Sequence, residues 1–201
     1  MTPGLALLAT AILLGLAVTA GWLTWFDMPV MRSVALTDAA PAWLASGASF
    51  LTRLGDPDLR SIFVVLVCLA FIMRRRGPVA LLYFLTVVVS IAGHMLAKLA
   101  YGRPRPRLTP WLDQVADLSY PSGHAGGAMV ILLTAALLTK ERRLRWPALG
   151  LALTIGATRP MLGVHWPADV IGGWLWGAGF ALIGAGIARA LRLPGVGVSV
   201  R

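Results

Sequence analysis

Three separated stretches of the chain carry residue types suited to holding and transferring an anionic group. The first runs Lys98-Leu-Ala-Tyr-Gly-Arg103-Pro-Arg105-Pro106, the second Tyr120-Pro121-Ser122-Gly123-His124, and the third is Thr158-Arg159 followed by His165 and Asp169. Each places cationic or donor groups at the end of an apolar segment. A charged side chain at membrane depth costs about 2.5–3.5 kcal/mol even on the lenient insertion scale, so Lys98 and Arg159 require a counter-charge, and a multiply charged phosphate supplies one. Ser122-Gly123-His124 opens an apolar helix whose first amides lack intrahelical partners and can point at an anion. Gly123 permits close backbone approach, Ser122 caps the helix or donates its hydroxyl, and His124 stands where it can protonate a departing oxygen. His165 precedes Trp166-Pro167, a helix start with Pro at its first position. Asp169, four residues on, can turn back to hold that imidazole in one tautomer and stabilise its positive charge.

Apolar segments must position these groups. With 58% hydrophobic residues and a mean hydropathy of +0.77 the chain lies outside the ordinary soluble range. A bilayer core of roughly 30 Å needs about 20 apolar residues per helix. That template predicts spans at 4–26, 59–73, 79–100, 124–139, 146–162 and 168–191. The first run lacks a basic n-region and is read as a retained span, not a signal peptide. The segment 27–57, with Pro29, Pro41, scattered charges and an apolar stretch at 43–51, reads as an interfacial helix and loop on the membrane surface.

Charge orients the spans. The 18 Lys and Arg against 8 Asp and Glu suit contact with anionic lipid headgroups. Nucleic acid is discounted, because the basic residues sit between apolar segments that it could not reach. Arg74–Arg76, the loop with Lys140, Arg142, Arg143 and Arg145, and the tail with Arg189, Arg192 and Arg201 should be cytoplasmic, with both termini inside. The loops 101–121 and 163–167 then emerge on the opposite face, where the chemistry collects. Arg103, Arg105 and Arg107 run against the positive-inside tendency, which a bound anion explains better than topology.

Other features read as structural. His94, with no motif around it, is a packing or hydrogen-bonding residue. Arg103 and Arg107 each touch a lipid headgroup or are solvated loop charges. Asp113 and Asp117, on a long outer loop with no partner, are read as solvated. Gly172-Gly173 and Gly177 serve helix packing. The single cysteine, Cys68, permits neither a disulfide nor a thiolate metal site within one chain.

At the three stretches the chain resembles the type-2 phosphatidic acid phosphatase superfamily, related to the vanadium haloperoxidases, whose signature is Lys-x6-Arg-Pro, Pro-Ser-Gly-His and Ser-Arg-x5-His-x3-Asp. Lys98 to Arg105-Pro106 fits the first part, and 121–124 fits the second unchanged. Arg159, His165 and Asp169 keep the spacing of the third, with Thr158 where the family usually has Ser. The hydroxyl is retained, so little functional consequence is expected.

The resemblance implies a single all-α domain over 1–201: an integral membrane bundle of six transmembrane helices with an acid phosphatase/vanadium haloperoxidase-like core. It implies that His165 attacks phosphorus to form a phosphohistidine, with Asp169 orienting it and His124 protonating the leaving group. Lys98, Arg105, Ser122, Gly123 and Arg159 would bind the phosphate. No metal and no cofactor is implied. The expected partners are a lipid phosphate substrate and membrane lipids, in a bacterial inner membrane with the site on the outer face. The substrate so implied is undecaprenyl diphosphate, with phosphatidylglycerophosphate, phosphatidate or lipid A phosphates as alternatives. The rival is a non-catalytic anion-binding membrane protein or transporter, which would have lost the nucleophile or the acid.

Overall fold

The computed structural model describes residues 1–37, 40–115 and 117–196, and within them the regular elements are all helical. In chain order they are α1 (Thr2–Thr19), α2 (Thr24–Val34), α3 (Ala42–Arg53), α4 (Pro57–Met73), α5 (Gly77–Tyr101), α6 (Gly123–Leu138), α7 (Arg145–Met161) and α8 (Pro167–Ala190). By length and composition α1, α5 and α8 can cross a membrane, while α6 is apolar but shorter. Helices α4 and α7 have 17 residues each.

The apolar run 4–26 is not one helix. It ends at Thr19, turns through Gly21 at φ 77°, and restarts as α2. The segment expected to lie on the surface is more deeply engaged than its composition suggests, because Asp27 and Met31 are 1% and 0% exposed. Arg201, grouped with the basic tail, lies outside the described residues.

Helices α6 and α8 form the central pair, and their contact is backbone on backbone. A Cβ added at Gly177 would lie 2.4 Å from the Gly126 carbonyl oxygen, and one at Gly173 would lie 2.6 Å from that of Ser122. Only glycine tolerates such an approach, the small-residue packing expected of helices in lipid. Gly172 makes room for the Tyr120 ring in the same way. Helix α1 closes on α8 where Gly4 meets the carbonyl of Gly179. The α6/α7/α8 side holds a core of Ala128, Met129, Ala152 and Ile155. The outer faces of α4 and α5 expose Leu66, Leu69, Val89, Met95 and Leu99, an apolar surface far beyond isolated exposed side chains and suited to lipid.

Each motif sits where a helix starts or stops. Gly102 ends α5 in the left-handed conformation at φ 58°, its amide donating to the Lys98 carbonyl, and so turns the chain into the loop carrying Arg103 and Arg105. A cis Tyr120-Pro121 bond precedes α6, whose N-cap is Ser122. Gly163, at φ 80°, reverses the chain after α7 so that His165 faces back. Pro167 opens α8, and the Asp169 carboxylate accepts the Trp166 amide at 2.9 Å, half of a capping box. The C-terminal ends of α5 and α7 and the N-terminal ends of α6 and α8 therefore share one end of the bundle. Arg76 lies at the other end, donating to the Leu138 carbonyl at 2.8 Å.

Candidate active site

His165 is the centre of the cluster and is 1% exposed. Its Nδ1 faces the Asp169 carboxylate and the Ser119 hydroxyl, each at 3.5 Å, and Ser119 itself donates to Asp169. Its Nε2 faces Arg105 Nη1 at 2.9 Å. Guanidinium can only donate, so Nε2 carries the lone pair and Nδ1 the proton. Burial, followed by the charges of Arg105, Arg159 and Lys98, drives the imidazole's pKa well below its usual 6.5. A neutral, buried imidazole with its lone pair turned toward cations is arranged to attack an electrophilic centre bound among them.

Those cations converge from three elements. Lys98 ends α5, Arg105 follows it on the loop, and Arg159 ends α7 fully buried. Each is met by a loop carboxylate. Asp117 accepts from Lys98 Nζ at 2.6 Å and also from Arg105, while Asp113 accepts from Arg159 Nη1 at 2.6 Å. Arg159 also donates to Thr52 of α3 at 2.5 Å, and its Nε and Nη2 are buried without a partner among the described residues. The reading of Asp113 and Asp117 as residues without a partner is thus corrected: Asp117, still 60% exposed, and Asp113, 31% exposed, are counter-ions of the cluster whose oxygens stand where those of a bound anion could. Burial would raise the Asp117 carboxyl, but the hydrogen bond and charge of Lys98, with Arg105, outweigh it and hold it at about 2.

That carboxylate competes with any incoming anion. Its pKa is lowered from 3.8, so its contribution to stability is complete above pH 4 and is lost only as pH falls through about 2. Asp117→Asn should lower the dissociation constant of inorganic phosphate several-fold, equally at pH 5 and pH 8, measured by titration calorimetry in detergent. Unchanged or weaker phosphate binding would show that the carboxylate does not compete.

Arg103 is also reassigned. It is neither solvated nor turned to a headgroup: its side chain is 11% exposed and bridges Asp169, at 2.5 Å, to Asp27 of α2, at 2.6 Å. Asp27 in turn accepts the Ala168 amide at 2.8 Å. Arg107 is exposed. His94 packs edge-on against Trp176.

At the start of α6, Ser122 supplies no capping hydrogen bond; its amide donates to the Asp169 carbonyl at 2.9 Å, and its buried hydroxyl has no partner among the described residues. A Cβ at Gly123 would meet nothing nearer than 3.9 Å, so that position faces open space instead of a crowded backbone. His124 Nε2 lies 3.0 Å from the carboxylate of Asp56, the N-cap of α4, and Gly55 leaves room for its ring. The Thr158 hydroxyl is spent on the Ile155 carbonyl at 2.6 Å and does not face the cluster.

A family model described as the PAP2 superfamily matches residues 79–192, and the chain belongs to that superfamily. It is therefore of a family of lipid phosphatases. It is 34% identical over 187 residues to a lipid A 1-phosphatase of Rhizobium johnstonii, covering 80% of this chain and 72% of that one. It is 33% identical over 92 residues to undecaprenyl-diphosphatase BcrC of Bacillus subtilis, covering 44% of this chain and 47% of that one. The chain likewise spans 47% of a Rhizobium etli lipid A 1-phosphatase, about half its length. The crystal structure of a transmembrane PAP2-type phosphatidylglycerolphosphate phosphatase from Bacillus subtilis has the same fold, with a TM-score of 0.86 at 23% identity over 95% of this chain and 98% of that one.

Proposed function

We propose that this chain is a metal-independent phosphatase that removes the terminal phosphate of a membrane lipid, undecaprenyl diphosphate first among them, through a phosphohistidine intermediate. The observation that carries this reading is the orientation of His165, with Nδ1 backed by Asp169 and Nε2 turned to Arg105. In the proposed reaction Lys98, Arg105, Arg159, the Ser122 hydroxyl and the amides opening α6 hold the phosphoryl oxygens and stabilise charge as it develops. Nε2 attacks phosphorus, the bond to the leaving oxygen breaks, and that oxygen keeps the electron pair or takes a proton from His124. Asp169 stabilises the cationic ring. Water then attacks phosphorus, frees His165 and releases inorganic phosphate.

The similarity to an undecaprenyl-diphosphatase supports the substrate. Lipid A phosphate is the second reading, favoured because the Rhizobium johnstonii relative is matched over 80% of this chain. The proposed setting is a bacterial inner membrane, with six spans, cytoplasmic termini and the site outside; the basic clusters near Arg76 and Arg142, at the far end of the bundle from His165, support that orientation.

Phosphate release by protein purified in detergent, with chelator and no added metal, tests this reading against undecaprenyl diphosphate, lipid A, phosphatidate and phosphatidylglycerophosphate. Fastest release from the diphosphate is expected. Fastest release from another lipid would keep the chemistry and change the substrate, and no release from any would overturn the proposal.

A further inference from the structure

Lys98, Arg103, Arg105 and Arg159 are each paired with a carboxylate, yet among the described residues none pairs with Arg60. Arg60 belongs to α4, and its side chain is folded into the bundle: Nη1 donates to the Gly123 carbonyl at 2.9 Å, while Nε is buried without a partner. The fold makes deliberate room for it. A Cβ on Gly127 would fall 1.6 Å from Arg60 Nη1, so the guanidinium lies against bare α6 backbone. Asp56, one turn earlier, offsets part of that charge but makes no ion pair with Arg60 and is turned to His124, so an arginine held inward here remains costly unless an anion joins it.

A cavity of about 270 Å³ beside it is lined by Arg60, Ser90, His94, Lys98, Asp117 and the α6 glycines. Lys98 is shared with the cluster around His165, so the cavity adjoins that cluster. His94 Nε2–H donates to the Pro121 carbonyl at 3.0 Å, so that edge of the ring is already engaged by backbone. Ile91 and Met95 continue the lining, and Met95 is 64% exposed on the outer face of α5, an apolar route for a tail. Arg60 also stands one turn beyond Asp56, the residue that contacts His124. If His124 serves the leaving group, Arg60 is on the leaving-group side.

We infer that this cavity is a second anion subsite, built around Arg60, which receives the inner phosphate of a diphosphate lipid while the outer phosphate is attacked by His165. This rests on the function proposed above and deepens it by assigning the place of the inner phosphate and the residue that stabilises it as it leaves. As the bond between phosphorus and the bridging oxygen breaks, the electron pair moves onto the inner phosphate, and Arg60 stabilises the added charge. A substrate whose leaving group is uncharged gains nothing from it.

The test compares Arg60→Gln and Gly127→Ala with the unaltered protein. Gly127→Ala keeps the charge but displaces the guanidinium, and it carries the test if Arg60→Gln does not fold. The ratio of kcat/KM for a polyprenyl diphosphate to that for the matching monophosphate should fall about tenfold in both variants. Calorimetric titration with methylenediphosphonate and with inorganic phosphate is independent of turnover: the diphosphonate should weaken about tenfold more than phosphate. Equal losses for both probes would overturn the subsite even if the enzyme turns over. Absence of turnover with the diphosphonate discrimination intact would instead leave the subsite standing and remove the proposed reaction.

Discussion

His165→Ala should lower kcat/KM for phosphate release by about 10⁴-fold or more, the scale on which loss of a covalent nucleophile registers. No other imidazole can take over, because His124 is held against Asp56 and His94 against Pro121. The variant should fold, since it removes a side chain whose neighbours Asp169 and Ser119 remain bonded to one another. Rapid quenching of the unaltered protein with substrate labelled in its terminal phosphate should trap protein-bound label that survives base and is lost in acid, as a phosphoramidate is. Label retained in His165→Ala, or turnover within tenfold of normal, would assign the nucleophile elsewhere.

The second large effect is on stability. Asp27 and Asp169 are 1% and 0% exposed, and Arg103 is the cation between them. Burial already raises the Asp27 carboxyl, with the hydrogen bond and charge of Arg103 opposing the rise. Arg103→Leu leaves two buried carboxylates close together, and breaking a buried ionic network by removing one partner costs about 3–5 kcal/mol. Against a typical domain stability of about 5–15 kcal/mol, the variant should show a fall in Tm of many degrees by size-exclusion thermostability in detergent. Adding Asp27→Asn should recover part of the loss. A Tm within one or two degrees of normal would show that Arg103 does not hold this network together.

Much of the site could be read from sequence because it is written locally. The His165/Asp169 spacing is one helical turn, Pro167 marks a helix start, and Pro-Ser-Gly-His announces the start of α6; each is a short-range pattern with a definite geometry. The residues that escaped depend on the path of the chain. Asp113 and Asp117 look idle on a polar loop until that loop folds back over the ends of α5 and α7. Asp27 meets Arg103 only because the first apolar run breaks at Gly21 and α2 turns toward α8. Asp56 is the N-cap of α4, and nothing around it in sequence says that it faces His124. Ser119 stands just outside the recognisable motif.

The glycine seam between α6 and α8 has a consequence for mobility. Side chains can exchange rotamers, but two backbones in contact have no such freedom, so the seam acts as a strut joining the helix that carries His124 to the one that begins just after His165. The spacing of those imidazoles is therefore fixed before any ligand arrives. Compliance is left to the opposite flank, where α4 and α5 meet α6 through long side chains and the 101–121 loop is held by ion pairs that can be exchanged. One wall of the site is an anvil, and any adjustment to a bound ligand falls to the other.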